Sequence, residues 1–201
     1  MTAVAIIDSG GANIASLVFA LRRLGCEATL TREPEVIRHA QRVILPGVGA
    51  AADAMERLRA RGLDQLVPAL SQPVLGICLG MQLLYEASDE GPTRCLGILP
   101  GTARRFVVAD DRPVPHMGWN QIEIGGESPL LSGIGTGDYA YFVHSYALPP
   151  GPGTVATCDY GGRFTAIVSR GNFHGAQFHP ERSAGLGARV LRNFLEATAW
   201  N

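Results

Sequence analysis

Three short apolar runs constrain the fold most. Ala3 to Ile7 is continuous and β-branched, Arg42-Val43-Ile44-Leu45 comes second, and Pro73-Val74-Leu75 third. Runs this short without polar alternation fit strands buried on both faces. Around them the period changes to that of helices. Ile14, Leu17, Val18, Leu21 and Leu24 recur at spacings of three and four up to Gly25. A strand at Glu27 to Thr31, a short helix at Pro34 to Ala40 and an Ala-rich helix at Ala50 to Arg61 complete this half. Strands alternating with helices predict an α/β fold with a central, mostly parallel sheet flanked by helices.

After residue 86 the pattern changes. Ala87 to Pro100 reads as a polar loop. Arg104 to Val108, Gln121 to Ile124, Tyr139 to His144, Thr154 to Thr157, Phe164 to Val168 and Asn172 to Phe178 read as short strands divided by Gly and Pro turns. Consecutive strands without helices predict antiparallel or mixed strands added to the parallel sheet. Ala184 to Ala199 reads as a final helix. With 201 residues, 46% of them hydrophobic, and no repeat or linker, residues 1–201 read as one domain.

A net charge of −1 with 17% charged residues argues against nucleic acid or an anionic membrane as partner. The cysteines (Cys26, Cys78, Cys95, Cys158) are scattered, with no C-x-x-C pair, so neither a zinc site nor a disulfide framework is expected. No metal or organic cofactor is implied. The N-terminus lacks a basic segment followed by a long apolar run, and no stretch reaches membrane-spanning length. The expectation is a cytoplasmic protein with reduced thiols.

The chemistry centres on Gly76-Ile77-Cys78-Leu79-Gly80. It follows the third apolar run and leads into Met81 to Glu86, which reads as the opening of a helix. Strand, tight turn and helix with a nucleophile at the tip is the elbow pattern, here with Cys in place of Ser. The helix would aim its free N–H groups at the sulfur and favour thiolate. On the pentapeptide alone, a buried cysteine on a glycine-rich turn fits equally well. A thiol nucleophile needs a base, and the base needs an orienting group. Gln177-Phe178-His179-Pro180-Glu181 offers both. Pro180 disfavours helix at His179, so the segment reads as extended, with His179 and Glu181 on the same side. Pro46-Gly47-Val48-Gly49 lies at the carboxyl end of a strand, where open α/β sheets place their sites. It reads either as an oxyanion loop working with the Leu79 N–H or as an ordinary strand-to-helix turn.

Gly76 to Gln82 together with Phe178 to Glu181 resembles the class I (triad) glutamine amidotransferases, in that family's order and over nearly the whole chain. The resemblance implies a flavodoxin-like fold and hydrolysis of glutamine through a γ-glutamyl thioester. Cys78 would be nucleophile, His179 base and then acid, Glu181 the orienting carboxylate, and Gln82 a glutamine contact. Pro46 to Gly49, Pro115-His116-Met117-Gly118-Trp119-Asn120 and Tyr141-Phe142-Val143-His144-Ser145-Tyr146 further resemble the amidotransferase-subunit family of imidazole glycerol phosphate synthase. That likeness implies Val48 beside Leu79 at the oxyanion, and Gly49, Glu90, Ser145 and Tyr146 at the glutamine. It also implies Asn13, Met117, Trp119, Asn120, Tyr141 and Arg182 facing a partner, a (βα)8-barrel cyclase bound as a 1:1 heterodimer. The cyclase would use the ammonia to make imidazole glycerol phosphate and aminoimidazole carboxamide ribotide in histidine biosynthesis. His116 and His144 read as structural. Without the resemblance, Trp119 and Tyr141 would read as core.

Two departures stand out. The family's first loop usually reads Asp-Tyr-Gly-x-Gly-Asn, against Asp8-Ser9-Gly10-Gly11-Ala12-Asn13 here, and Arg182 stands where Lys is usual. Other readings are a glutaminase subunit for anthranilate, aminodeoxychorismate or pyridoxal phosphate synthesis, a γ-glutamyl hydrolase or cysteine peptidase on the same elbow, and an inactive scaffold.

Overall fold

The computed structural model describes residues 2–10, 14–110 and 112–200. The first half alternates strand and helix: β1 (Val4–Ile7), α1 (Ile14–Arg23), β2 (Ala28–Thr31), α2 (Pro34–His39), β3 (Arg42–Gly47), α3 (Ala51–Arg59), α4 (Leu63–Leu66), β4 (Val74–Cys78) and α5 (Leu79–Leu83). The second half is mostly strand: β5 (Tyr85–Ser88), β6 (Thr93–Arg94), β7 (Leu99–Arg105), β8 (His116–Gln121), β9 (Glu123–Ile124), β10 (Tyr139–His144), β11 (Tyr146–Ala147), β12 (Thr154–Asp159), β13 (Arg163–Arg170) and β14 (Phe173–Ala176). Helix α6 (Ala184–Glu196) follows.

Among the described residues the largest sheet has eight strands in the order β2-β1-β3-β4-β14-β13-β12-β9. From β2 to β14 all neighbours are parallel. That is the flavodoxin-like order, with β14 as the fifth strand. Strands β13, β12 and β9 then add on antiparallel. The expected α/β fold with an antiparallel extension is therefore the fold observed. Two smaller sheets, β10-β8 and β11-β7-β5-β6, accompany it.

The central strands bury both faces because alternate side chains point to opposite sides. Val4, Ile6, Ile44, Leu75 and Ile77 pack with α1 and α6. Ala5, Ile7, Val43, Leu45 and Val74 pack with α2, α3 and α4. Each large aliphatic side chain buried this way contributes about 1.5–3 kcal/mol. The cysteines are free and buried. No helix among the described residues is long and apolar enough to cross a membrane.

The structure corrects the sequence reading after the elbow. Helix α5 stops at Leu83, and Tyr85–Ser88 is a strand. The carbonyl of Leu83 accepts from the Leu96 N–H, and that of Leu84 from the Ile98 and Leu99 N–H groups, so contacts distant in sequence end the helix. The supposed loop from Ala87 to Pro100 holds strands β5 and β6 and the start of β7. Strand β7 lies earlier than the expected Arg104 to Val108, and β8 was not anticipated as a strand. Helix α6 ends at Glu196, short of Ala199.

Candidate active site

Cys78 ends β4 directly opposite Gly47 of β3. Its backbone sits at φ 54°, ψ −114°. A side chain in this sparsely populated region costs on the order of 1–3 kcal/mol. The flanking glycines make the turn possible. A Cβ on Gly76 would lie 2.7 Å from both the Gly80 carbonyl oxygen and the Met81 nitrogen, and a Cβ on Gly80 would collide with the Leu45 carbonyl oxygen. Helix α5, for which Cys78 is the N-cap, has only five residues. Any pull on the sulfur comes from the free N–H groups of that one turn rather than from a long helix dipole.

His179 is held by backbone from another strand. Its N–H donates to the Tyr141 carbonyl at 3.0 Å, and its carbonyl accepts from the Ser183 hydroxyl at 2.7 Å. Ser183 in turn accepts the Tyr141 N–H at 2.9 Å. His179 Nδ1 lies 3.0 Å from Glu181 Oε1. His179 is extended as expected, at φ −96°, ψ 99°, and the two meet; the departure is that Pro180–Arg182 form a 3₁₀ turn rather than continuing extended. A carboxylate oxygen accepts, so Nδ1 carries the hydrogen and Nε2 is left to interact with Cys78. Burial alone would push the imidazole down. The hydrogen bonds to Cys78 and Glu181, and the negative charge on both, outweigh it and raise His179 to about 10.

Cys78, Val48, Gly49, Leu79, Gln82, Glu90, Ser145, Tyr146 and His179 line one cavity of about 260 Å³. The expected nucleophile, base, oxyanion residues and glutamine contacts thus share one cavity. Glu181 lies behind His179. The Cys78 thiol points to the Val143 carbonyl at 3.7 Å. Gln82 Nε2 is already engaged, donating to the Tyr146 carbonyl at 2.8 Å, so its free end is an acceptor. Glu90 Oε2 accepts the Ala51 N–H at 2.8 Å, which fixes the carboxylate at the start of α3. On the far side of His179 and Glu181 a void of about 20 Å³ is bounded by Ser9, Pro46 and Val48, room for about one water.

The class-I glutamine amidotransferase family profile matches residues 5–198. The chain is 58% identical over 196 residues to an imidazole glycerol phosphate synthase subunit HisH of Xanthomonas euvesicatoria pv. vesicatoria (strain 85-10), covering 98% of each. It is 56% identical over 199 residues to the HisH subunit of Xylella fastidiosa (strain Temecula1 / ATCC 700964), covering 99% of this chain and all of that one. The chain belongs to the class-I glutamine amidotransferase family, in its HisH group. A solved glutamine amidotransferase superposes with a TM-score of 0.75 at 23% identity, covering 96% of this chain and 97% of that one. Another, from Thermotoga maritima, superposes with a TM-score of 0.69 at 16% identity, covering 97% and 96%. These two show the shared fold.

In this amidotransferase the residues expected to face a partner split into groups. Met117 and Trp119 are 64% and 51% exposed. Trp119 meets Tyr141 edge-on at 5.8 Å, and the Arg182 guanidinium lies 5.6 Å over the Tyr141 ring. These four make one surface patch on the β8–β10 ribbon, and Trp119 is not core. Asn120 points to the opposite face of β8, where its Nδ2 donates to the Asp159 carbonyl at 2.9 Å. Asn13 and Ala12 lie outside the described residues. Ser9, the other departure in the first loop, donates its hydroxyl to the Pro46 carbonyl at 2.8 Å.

His144 also lines the amidotransferase cavity. Its Nδ1 donates to the Tyr146 carbonyl at 2.8 Å, and its Nε2 faces His116 Nδ1 at 3.2 Å. The carbonyl fixes both tautomers: His144 Nε2 accepts, so His116 Nδ1 donates. Burial lowers His116 to about 4. The sequence reading missed Val143, Ser183 and Gln177 as site residues. The first acts through its backbone, and the second is recognisable only once Tyr141 is beside it. Gln177 was legible in position but not in role.

Proposed function

We propose that this chain is a glutaminase subunit, a single domain over residues 1–201, whose chemistry runs on Cys78, His179 and Glu181. The observation that carries the reading is Cys78 and His179 lining one cavity with Gly49, Gln82, Glu90, Ser145 and Tyr146, with Glu181 bonded to the His179 ring at 3.0 Å. With the thiol proton already held on His179 Nε2, Sγ attacks the side-chain carbonyl carbon of glutamine. The oxyanion forms beside the Val48 and Leu79 N–H groups. His179 then returns the proton to the leaving nitrogen, the C–N bond breaks, and ammonia departs from a γ-glutamyl thioester. Water attacks the thioester, His179 accepts its proton, and glutamate leaves as Sγ is reprotonated. Glu181 keeps the ring in the tautomer these steps require. Glu90, braced by the Ala51 N–H, suits the α-ammonium group of free glutamine by charge.

The ammonia passes to a (βα)8-barrel cyclase bound one-to-one, which makes imidazole glycerol phosphate and aminoimidazole carboxamide ribotide. The patch of exposed Met117, Trp119 and Arg182 around half-buried Tyr141 supports an interface, because aromatic and Arg side chains dominate interface cores. The setting is the cytoplasm, where free thiols stay reduced.

Glutamate release from glutamine tests the reading. It is measured for the chain alone, with the barrel, and with the barrel plus its nucleotide ligand. Low release alone and a large rise in the full mixture is the expected result. Release indifferent to this barrel would remove the pathway but keep the glutaminase, and the anthranilate, aminodeoxychorismate and pyridoxal phosphate partners would be tried next. A glutamine-analogue electrophile that labels a residue other than Cys78 would remove the nucleophile.

A further inference from the structure

Gln177 has no part in the chemistry above, yet its side chain is wholly buried between two residues of the site. Its Nε2 donates to Cys78 Sγ at 3.8 Å, and its Oε1 accepts from Gln82 Nε2 at 2.9 Å. Which end of an amide faces a neighbour follows from the network around it. The Tyr146 carbonyl only accepts, so Gln82 presents Nε2 to it at 2.8 Å. His144 Nδ1 donates to the same carbonyl. The second hydrogen of Gln82 Nε2 then points at Gln177, which answers with Oε1. The end of Gln177 left facing the sulfur is the donor. Four groups are thereby oriented in series from one backbone carbonyl: Tyr146 O, Gln82, Gln177 and Cys78.

We propose that Gln177 is a further catalytic residue, whose amide N–H holds the sulfur of Cys78 in its ionised form, and that Gln82 acts behind it as a positioning residue. The inference rests on the reading of Cys78 as nucleophile. In the thiol form the S–H donates to the Val143 carbonyl. Once the proton has moved to His179, that carbonyl faces an anion and no longer helps. The Gln177 N–H gains instead, because a hydrogen bond to a charged acceptor is roughly twice as strong as a neutral one. The donor is neutral and already in place, so it favours thiolate without adding a charge that would compete with His179. The same N–H meets the sulfur again when the thioester breaks and sulfur leaves as thiolate.

The test is the rate of alkylation of the full chain by iodoacetamide as a function of pH, with the modified residue identified by peptide mass. Burial raises Cys95 to about 11 and Cys158 to about 12, so these two stay silent near neutrality. Gln177→Met keeps the volume and removes the N–H. The midpoint of Cys78 alkylation is expected to rise by about one unit, which slows the reaction roughly tenfold at pH values below the midpoint. Gln177→Glu, which sets a carboxylate against the sulfur, is expected to raise it further. Glutamine turnover in the complex should lose kcat with KM nearly unchanged. If Gln177→Met does not fold, Gln82→Met decides by the same readout, since Gln177 is then no longer held donor-first. A midpoint unmoved in a folded variant overturns the role of Gln177 and leaves Cys78 as nucleophile. Failure to modify Cys78 in the unmutated chain overturns both.

Discussion

His179 and His144 line the same cavity and are both buried, yet their rings behave in opposite ways. His144 is lowered to about 3, first by burial, with the positive fields of His116 and His179 adding to it against the bond to Tyr146. His179 suffers the same burial and is raised to about 10. The difference is what each Nδ1 meets. For His179 it is a carboxylate, with the sulfur beyond the other nitrogen. For His144 it is a neutral carbonyl, with a second imidazole beyond. Burial alone makes a histidine a neutral structural group. Burial with a buried anion holds a histidine in its charged form, the state the proposed proton carrier requires.

The strongest challenge to that contrast removes the sulfur. Cys78→Ala is expected to reduce glutamine-dependent turnover by about 10⁴-fold or more, while synthesis from added ammonia by the complex is unchanged. If the variant complex still used glutamine at the parent rate, the cavity would not be the site of chemistry. Glu181→Gln is the sharper probe, because it keeps a hydrogen-bonding side chain and deletes the charge. Turnover should fall about 10²- to 10⁴-fold. The His179 ring, followed by NMR, should titrate well below its parent value of about 10. A ring that still titrated there would show that the carboxylate does not separate the two histidines.

The contrast was partly legible in the chain itself. His-Pro-Glu places an anion two residues from its histidine, and His144-Ser145-Tyr146 does not. The elbow was legible because steric demand leaves only glycine at Gly76 and Gly80. The parallel half of the sheet was legible because its strands are uninterrupted apolar runs. Strands β5 to β8 were not, because they are half-exposed and paired with segments that no local pattern announces. Tyr85 pairs with Leu99 and His116 with His144, and no local period announces either. Polar residues such as Glu86 and Ser88 look like a loop until β7 is beside them. The role of Gln177 was hidden for the same reason, since its partners are 95 and 99 residues away.

A third prediction separates the two rings by stability at alkaline pH. A histidine raised above its unfolded value stabilises the fold fully below about pH 6.5. That contribution is lost as pH rises through the folded value of about 10. Thermal unfolding of the parent should therefore weaken between about pH 6.5 and 10 more than that of Glu181→Gln, in which the ring is less charged to begin with. Equal losses in the two proteins would show that the charged ring contributes nothing to stability.

The smallest effect lies on the acid side and belongs to His144. Its folded value is about 3, against an unfolded value of about 6.5. Below the unfolded value the unfolded chain binds a proton that the folded ring refuses. Stability therefore falls with pH by about 1.4 kcal/mol per unit for each such histidine, until the folded ring itself titrates. His116 behaves in the same sense. In His144→Gln the new amide can donate to the Tyr146 carbonyl with one end and accept the His116 Nδ1 hydrogen with the other, as the imidazole does. It does not titrate. Denaturant unfolding followed from about pH 7 down to about pH 4.5 should show a slope shallower by one proton, with stability at neutral pH little changed. An unaltered slope would mean that the neutral pair takes up protons as readily folded as unfolded. The distinction between it and His179 would then rest on the sulfur and the carboxylate alone.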